Sequence, residues 1–166
     1  MRLASAQVCS WGHPLTSGLP TIDYYISSDL LETSTSYKFY TEKLIKLPGL
    51  GYYFEPPTLE TSEMNISDMG INENFPILLC LGQPNKFSPL YDWVLIEILR
   101  RIKNCQLIFM NDLYGASKIL KNRLKSSVEQ AGIIFEKHIF FIPEQSRIGY
   151  SSLMKASDIL LDTPGF

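Results

Sequence analysis

The segment ILLCLGQPNKFSP, residues 77–89, decides the fold of this chain. It begins with a continuous apolar run over 77–81, which is typical of a strand that is buried on both faces of a sheet. Gly82 interrupts the run, and Ser88 and Pro89 follow as a helix cap and a first-turn proline. The segment therefore predicts a buried strand, a short loop and the start of a helix.

The same alternation continues through residues 76–166. Three more apolar runs predict strands, over 105–110, 139–142 and 159–162. Helical patterns lie between them, starting at Ser88 and covering 114–131 and 147–155. In the first helix, four apolar residues are expected to face the sheet: Leu90, Trp93, Val94 and Ile98. Strands separated by amphipathic helices predict an α/β fold with a Rossmann-like parallel sheet flanked by helices.

The rest of the chain predicts a second, incomplete lobe. Residues 1–49 carry short strand patterns and are interpreted as the end of a preceding α/β domain, because about fifty residues bury too little surface for a core of their own. Residues 50–75 are polar and without periodicity, so they are interpreted as a linker or crossover. Residues 76–166 form the second lobe, and we expect it to be incomplete at its C-terminal end.

Composition excludes several classes of protein. The chain has 166 residues, 15 Lys plus Arg, 17 Asp plus Glu, and a formal net charge of −2, which argues against a sequence-independent nucleic-acid binder. No apolar run approaches the roughly 18 residues of a membrane span. Cys80 and Cys105 lie in apolar runs, where a reduced thiol packs as a small hydrophobe. We therefore expect a cytoplasmic protein that binds neither nucleic acid nor membrane.

The loop from Gly82 to Lys86 is the first candidate site, since ligands of such sheets bind beyond the carboxyl ends of the strands. Backbone N–H groups, the helix dipole and the Lys86 ammonium there would attract a phosphate or diphosphate, and Gln83 adds an amide donor. The alternative is an exposed loop with a solvated lysine. The loops after the other strands carry further polar residues: Asn111 and Asp112, then 143–147, then Asp162 and Thr163.

Two more residues are candidates with structural alternatives. Tyr150, in the first turn of a helix, could stack on a base or could pack beneath the sheet. His13 has a side chain suited to acid–base chemistry, although a lone histidine in a turn is more often a structural hydrogen-bonder. Gly49-Leu50-Gly51 lacks a third glycine and a strand-to-helix turn, and no Walker A sequence is present, so a dehydrogenase or P-loop enzyme is disfavoured. No carboxylate cluster indicates a metal site.

Four segments resemble one family, the O-linked N-acetylglucosamine transferase (SPINDLY-like) glycosyltransferases of bacterial type, which are related to the adhesin N-glycosyltransferases. The segments cover nearly the whole chain in the family's order: WGHPLTSGLPTIDY (11–24), YTEKLIKLPG (40–49), LGQPNKFSP (81–89) and ASDILLDTP (156–164). The third matches the family's Gln-x-x-Lys loop.

The resemblance implies a GT-B fold and metal-independent, inverting transfer of a sugar from a UDP-sugar to protein Ser or Thr, with N-acetylglucosamine as the expected sugar and no cofactor. Lys86 matches the lysine that holds the diphosphate and supports the leaving group, and Gln83 its diphosphate-binding neighbour. Tyr150 and Arg147 fall at or near uracil- and nucleotide-contacting positions. His13 matches a cleft position and is a catalytic candidate. Asp162 and Thr163 complete the predicted UDP-binding set.

Alternatives remain open at this stage. The chain could be a truncated, inactive UDP-binding or interaction protein, or an N-glycosyltransferase that uses UDP-hexose on Asn. An unrelated Rossmann-like nucleotide enzyme is the third possibility. The family implies tetratricopeptide repeats upstream and further sheet downstream, so we expect this fragment alone to be inactive.

Overall fold

The computed structural model describes residues 1–12, 15–55 and 58–163. The chain divides into two compact units, Met1–Pro57 and Thr58–Phe166. Each unit has its own parallel sheet, and the two are described separately below. The division falls inside the segment 50–75 that was interpreted as a linker.

The first unit has a three-stranded parallel sheet of order β1-β2-β3. Its strands are β1 (Val8–Ser10), β2 (Tyr24–Ser28) and β3 (Lys43–Leu47), with a 3₁₀ turn at Ser36–Phe39. Tyr25 lies buried in the middle of β2, and its ring packs on Tyr40 with centroids 4.7 Å apart. The short strand patterns predicted within residues 1–49 are therefore confirmed.

Carboxylates hold the loops of this unit. Glu42, only 5% exposed, accepts hydrogen bonds from the Thr16 hydroxyl and from both the amide (2.8 Å) and the hydroxyl of Ser17. Burial opposes ionisation of Glu42, but these donors outweigh it and lower its pKa to about 2. Asp23 pairs with Arg2 at 2.7 Å, which lowers the pKa of Asp23 to about 2. Ionised acids thus fix the turn at 16–18 and the start of β2.

The second unit has a four-stranded parallel sheet of order β6-β5-β4-β7. The strands are β4 (Ile77–Cys80), β5 (Gln106–Met110), β6 (Ile139–Ile142) and β7 (Ile159–Leu161). All four predicted strands are confirmed. Because β4 lies between β5 and β7, the chain reverses its direction of sheet growth at β4, and the loops after β4 and β7 meet at a topological switch point.

Four helices accompany this sheet: α1 (Asp92–Arg101), α2 (Ala116–Gln130), α3 (Phe135–His138) and α4 (Arg147–Ala156). Short 3₁₀ turns lie at Ile66–Met69, Pro84–Lys86 and Pro89–Tyr91. Ser88 caps the last of these by accepting the Leu90 amide at 3.4 Å. The predicted cap is therefore present, but it opens a 3₁₀ turn, and the α-helix begins only at Asp92.

The predicted buried face of α1 is wrong at Leu90 and Trp93, whereas Ile98 is half-buried and packs against the apolar cluster as predicted. Leu90 is 78% and Trp93 is 63% exposed, whereas Leu95 and Leu99 are buried together with Asp92. The face is rotated because Asp92 turns inward to pair with Arg123 of α2, an acid–base contact that no apolar periodicity reveals. The apolar face of α1 then follows Asp92 at a spacing of three and seven residues.

Apolar clusters cover both faces of the four-stranded sheet. One cluster packs α1 and α2 against Leu78, Leu107 and Phe109, and the other packs α4 against Leu79 and Ile108. Cys80 and Cys105 are fully buried free thiols, as predicted.

The segment after residue 57 differs from a plain surface linker. Ile66 and Ile71 are buried in the second cluster, at 4% and 1% exposure. The amide of Asn72 donates to Gln106 Oε1 at 2.8 Å, and Gln106 Nε2 returns a bond to the Asn72 carbonyl. Two apolar anchors and one amide pair thus bind this polar segment to the edge of the sheet.

Candidate functional site

A cavity of about 650 Å³ lies at the carboxyl ends of β4, β5 and β6. Its walls come from three loops that each follow a strand. The lining residues are Leu81, Gly82, Gln83, Pro84, Asn85, Met110, Asn111, Asp112, Leu113, Tyr114, Ala116, Glu144, Gln145 and Tyr150. This is the edge of the sheet at which the sequence predicts ligand binding.

The loop after β4 is held at its base and exposed at its tip. Pro84 is buried, and the buried ring of Phe87 packs edge-on against Phe109 with centroids 5.2 Å apart. Between these anchors the Lys86 amide donates to the Gln83 carbonyl at 2.8 Å, which closes the 3₁₀ turn. Gln83 is exposed and lines the cavity, whereas Lys86 is half-buried and is not part of its lining.

The loop after β5 is organised by Asp112. Its Oδ1 accepts the Ser117 amide at 2.6 Å, and its Oδ2 accepts the amides of Tyr114 and Ala116 at 3.0 and 3.1 Å. The hydrogen bond from the Ser117 amide has the largest effect on the pKa of Asp112, and the other donors lower the pKa further. Partial burial opposes them, but the pKa still falls to about 2. Asp112 therefore satisfies the N-terminus of α2 and occupies the place that a bound anion would take there.

The loop after β6 leads into α4. Ser146 caps that helix by accepting the Gly149 amide at 3.1 Å, and Gln145 Nε2 donates to the Pro143 carbonyl at 2.8 Å. Tyr150, in the first turn, is half-buried and lines the cavity, and burial raises the pKa of its phenol. Its ring therefore contributes an apolar face, and its hydroxyl stays protonated at neutral pH.

The charges around the cavity determine what it can hold. Among its lining residues the charged side chains are Asp112 and Glu144, both acidic. A phosphate in this space would be repelled, whereas an uncharged polar ring and a sugar would find amide, carboxylate and tyrosine groups. An anionic group of the same ligand would have to extend toward Lys86.

The switch point lies beside this cavity. Gly82 and Thr163 are in close contact, so that a methyl group on Gly82 would collide with Cγ2 of Thr163 and lie 3.2 Å from the Phe87 ring. The loops after β4 and β7 therefore meet, as the sheet order requires. Asp162 is exposed, accepts the Thr163 amide at 2.8 Å, and faces a separate apolar pocket of about 80 Å³ beside Phe87.

The structure brings some of the predicted site residues together and separates others. Gln83 and Tyr150 line one cavity, and Thr163 contacts its rim at Gly82. Arg147 instead lines a pocket of about 140 Å³ with Thr58, Glu60 and Ser151. His13 lies outside the described residues. None of these roles is tested by the geometry, so they stay predictions.

Tyr114 and Leu113 are cavity residues that the sequence analysis missed. Tyr114 was assigned to the second helix, but that helix begins at Ala116, after Gly115 at a φ of +85°. The glycine was the available signal, because a residue with positive φ commonly separates a loop from an element. Tyr114 is 96% exposed and Leu113 is 82% exposed at the cavity wall.

Within 1–12, 15–55 and 58–163, no group of three or more His, Cys, Asp or Glu side chains is placed to hold a metal ion. In that same part of the chain, no helix has the length and apolarity to cross a membrane.

The fold of this chain is α/β, with parallel sheets flanked by helices. Over 98% of its length it superposes on a mutant of the O-GlcNAc transferase of Thermobaculum terrenum, with a TM-score of 0.75 and 21% sequence identity, covering 30% of that chain. The predicted fold class is thereby confirmed.

Curated relatives confirm the resemblance stated from the sequence. The chain is 26% identical over 132 residues to a probable UDP-N-acetylglucosamine--peptide N-acetylglucosaminyltransferase SPINDLY of Petunia hybrida, covering 80% of this chain and 14% of the relative. It is 24% identical over 170 aligned residues to a protein of the same description, SEC, of Arabidopsis thaliana, covering 99% of this chain and 17% of the relative. The chain thus spans less than a fifth of these relatives, and no family model matches it.

Proposed function

We propose that this chain is part of a glycosyltransferase that binds a UDP-sugar and transfers the sugar to a protein. The observation that carries the proposal is the cavity of about 650 Å³ at the carboxyl edge of the sheet, bordered by the loop with Gln83 and Lys86. The names of the relatives, which are peptide N-acetylglucosaminyltransferases, support the donor and the acceptor class.

Within this proposal the nucleoside occupies the cavity and the diphosphate lies outside it. The uracil contacts the Tyr150 ring, and the ribose hydroxyls face the Glu144 carboxylate, since both oxygens of Asp112 are engaged by amides. The diphosphate then extends past Gly82 toward Lys86 and Thr163. This places the anion on the cationic side of the loop and keeps it from the two acidic side chains.

Lys86 has the central chemical role in the proposal. When the bond between the sugar and UDP breaks, negative charge develops on the departing diphosphate, and a preorganised cation stabilises that charge most in the transition state. The α1 dipole contributes less than the sequence suggested, because α1 starts six residues after Lys86 with the carboxylate of Asp92 in its first turn.

The remaining parts of the proposal rest on family resemblance. They are transfer of N-acetylglucosamine to Ser or Thr, inversion at the anomeric carbon without a metal ion, and His13 as the group that receives the acceptor's proton. Tetratricopeptide repeats in the full protein would recruit the acceptor. Arg147 and Asp162 stay candidates for nucleotide contact, although the structure puts each at a different pocket.

The test compares binding and turnover. Calorimetry should show UDP binding to the chain, which Lys86→Ala weakens at least tenfold, an effect of about 1.4 kcal/mol. Lys103→Ala, which removes an exposed lysine at the opposite edge of the sheet, should leave the affinity unchanged. Binding of NAD without binding of UDP would reject the proposal.

Turnover is measured on the full-length protein with UDP-N-acetylglucosamine, UDP-hexose and peptide acceptors. Sugar transfer that falls with Lys86→Ala supports a transferase, and the preferred donor and acceptor separate Ser/Thr from Asn transfer. UDP binding without any transfer would instead favour the inactive UDP-binding protein.

A further inference from the structure

Arg123 of α2 contacts both the start of α1 and the end of the loop after β4. Its Nε and Nη2 donate to the two carboxylate oxygens of Asp92 at 2.9 and 3.0 Å. The same Nη2 donates to the backbone carbonyl of Phe87 at 2.7 Å. One guanidinium therefore ties together α2, α1 and the residue that directly follows Lys86.

The burial of this contact distinguishes it from the other ion pairs found among the described residues. The side chains of Arg123 and Asp92 are 25% and 12% exposed, whereas those of Arg101 and Glu97 are 77% and 39% exposed. A bidentate pair that is shielded from water holds its geometry far better than an exposed one, which solvent and salt weaken. Asp92 is also 8% exposed as a whole residue, so the pair lies largely out of contact with water.

The bidentate pair of Arg123 with Asp92, called the clamp below, contacts the loop after β4 through the hydrogen bond from Arg123 to the Phe87 carbonyl. Three further anchors of the loop are apolar: buried Pro84, the Phe87 ring against Phe109, and Gly82 against Thr163. Apolar contacts resist withdrawal of the loop but allow it to rotate. A short hydrogen bond to the Phe87 carbonyl, in the peptide that joins Phe87 to Ser88, restrains the backbone of the residue next to Lys86 and so limits rotation of the loop.

We propose that Arg123, held by Asp92, is a positioning residue for the diphosphate of the bound donor. The proposal rests on the UDP-binding function given above. Arg123 acts through the backbone of Phe87, which adjoins Lys86, and a shift of that backbone by about 1 Å is enough to weaken a contact made only with good geometry. Loss of the clamp should therefore lower the affinity for UDP, which reaches Lys86, more than the affinity for uridine, which stays in the cavity.

The decisive variant removes the charge without leaving a buried ion unpaired. In Arg123→Met/Asp92→Leu both charged groups are replaced by apolar side chains of similar size, a change that buried ion pairs often tolerate. We expect a melting temperature near that of the native chain, UDP affinity lowered about tenfold, and uridine affinity within about twofold. Amide exchange at 84–88 should become faster.

Three further measurements complete the test. Lys125→Met, on the same helix as Arg123, breaks the exposed pair of Lys125 with Glu136 of α3 and should change neither affinity. Arg123→Lys keeps a cation beside Asp92 but lacks the planar fork, so it should give an intermediate loss for UDP; this variant also serves if the double variant does not fold. If the native chain binds UDP and the folded clamp variants bind it equally well, or lose UDP and uridine alike, the positioning role is wrong. A native chain that does not bind UDP overturns the proposed function instead, and the clamp with it.

Discussion

The two units of this chain are stabilised in different ways. In the second unit, strands such as β4 and β5 are buried on both faces beneath apolar clusters that include Leu79, Leu107 and Val128. Among the described residues, the buried apolar side chain of the first unit is Tyr25, and its loops are fixed by carboxylates such as Glu42. The second unit therefore has an apolar core on both sides of its sheet, whereas the first unit depends on polar contacts.

This difference explains where a binding site can form. Apolar packing on both sides of a parallel sheet leaves the carboxyl edge as the surface at which loops can present polar groups from a rigid base. The second unit uses that edge, with Gln83, Asp112, Glu144 and Tyr150 around one cavity. In the first unit, polar side chains such as Glu42 and Asp23 instead form the hydrogen bonds and ion pairs that hold its loops.

The largest effect should come from the apolar core. Leu107 is fully buried in β5, so Leu107→Ala should lower the free energy of unfolding of the second unit by about 2–5 kcal/mol, through lost burial and a residual cavity. The matched change Leu44→Ala, at a half-buried position of β3, should cost about 1 kcal/mol in the first unit. Urea unfolding followed by segment-resolved hydrogen exchange measures both. Equal costs would remove the contrast between the units.

A smaller effect is expected at the switch point. Gly82→Ala should destabilise the second unit by about 1–3 kcal/mol, because the added methyl group meets Cγ2 of Thr163 and the ring of Phe87. Thr163→Ser removes that Cγ2, so the double variant should recover part of the loss. Thermal unfolding of both single variants and the double variant gives the coupling between the positions. A double variant no more stable than Gly82→Ala would show that the two loops do not press on each other.

The polar anchor of the first unit gives the next effect. Glu42→Gln keeps the size of the side chain but replaces a charged acceptor that binds Thr16 and Ser17, so the first unit should lose about 1–2 kcal/mol. Glu55→Gln, at an exposed acid of the same unit, should have no measurable effect. Amide exchange of residues 16–28 reports the change. Unaltered exchange in Glu42→Gln would mean that the first unit is held by apolar contacts after all.

A fall in pH is the mildest change that should distinguish the stability of the two units. The pKa values of Glu42 and Asp23 in the folded chain are about 2, below the ordinary values near 4, so their stabilisation is complete above about pH 4.5 and is lost as the pH falls toward 2. The rate of amide exchange in the first unit, relative to the rate in an unfolded chain at the same pH, should therefore rise across that range. In the second unit, it should rise first at the start of α2, where Asp112 also has a pKa of about 2, while β4 and β5 stay protected. Simultaneous opening of both sheets would contradict this order.

The sequence predicts the second sheet well because its strands are continuous apolar runs. The same reasoning fails where a residue is placed by a partner far along the chain. Asp92 faces inward because of Arg123, 31 residues later, which rotates α1 away from the face that Trp93 suggested. Ile66 and Ile71 look like isolated apolar residues in a polar stretch, and only the fold shows that they complete a cluster.

The candidate site was predictable to the extent that it follows from strand ends. Gln83, Asp112 and Glu144 come from loops that the strand-end rule selects, Tyr150 lies in the helix that follows the last of these loops, and the structure gathers all four around one cavity. Arg147 lies in the same helix as Tyr150 but lines another pocket, since helical spacing puts residues three apart near one another without making both face the ligand.

Hydrogen exchange with and without UDP tests the central claim most directly, because it reports on the whole chain in one experiment. Because the donor site lies at the carboxyl edge of the second sheet, UDP should slow exchange in the loops there, over residues 81–87, 110–117 and 144–150, and leave exchange at the opposite edge, over 70–75 and 136–140, unchanged. Protection at that opposite edge, or none anywhere at saturating UDP, would contradict the account.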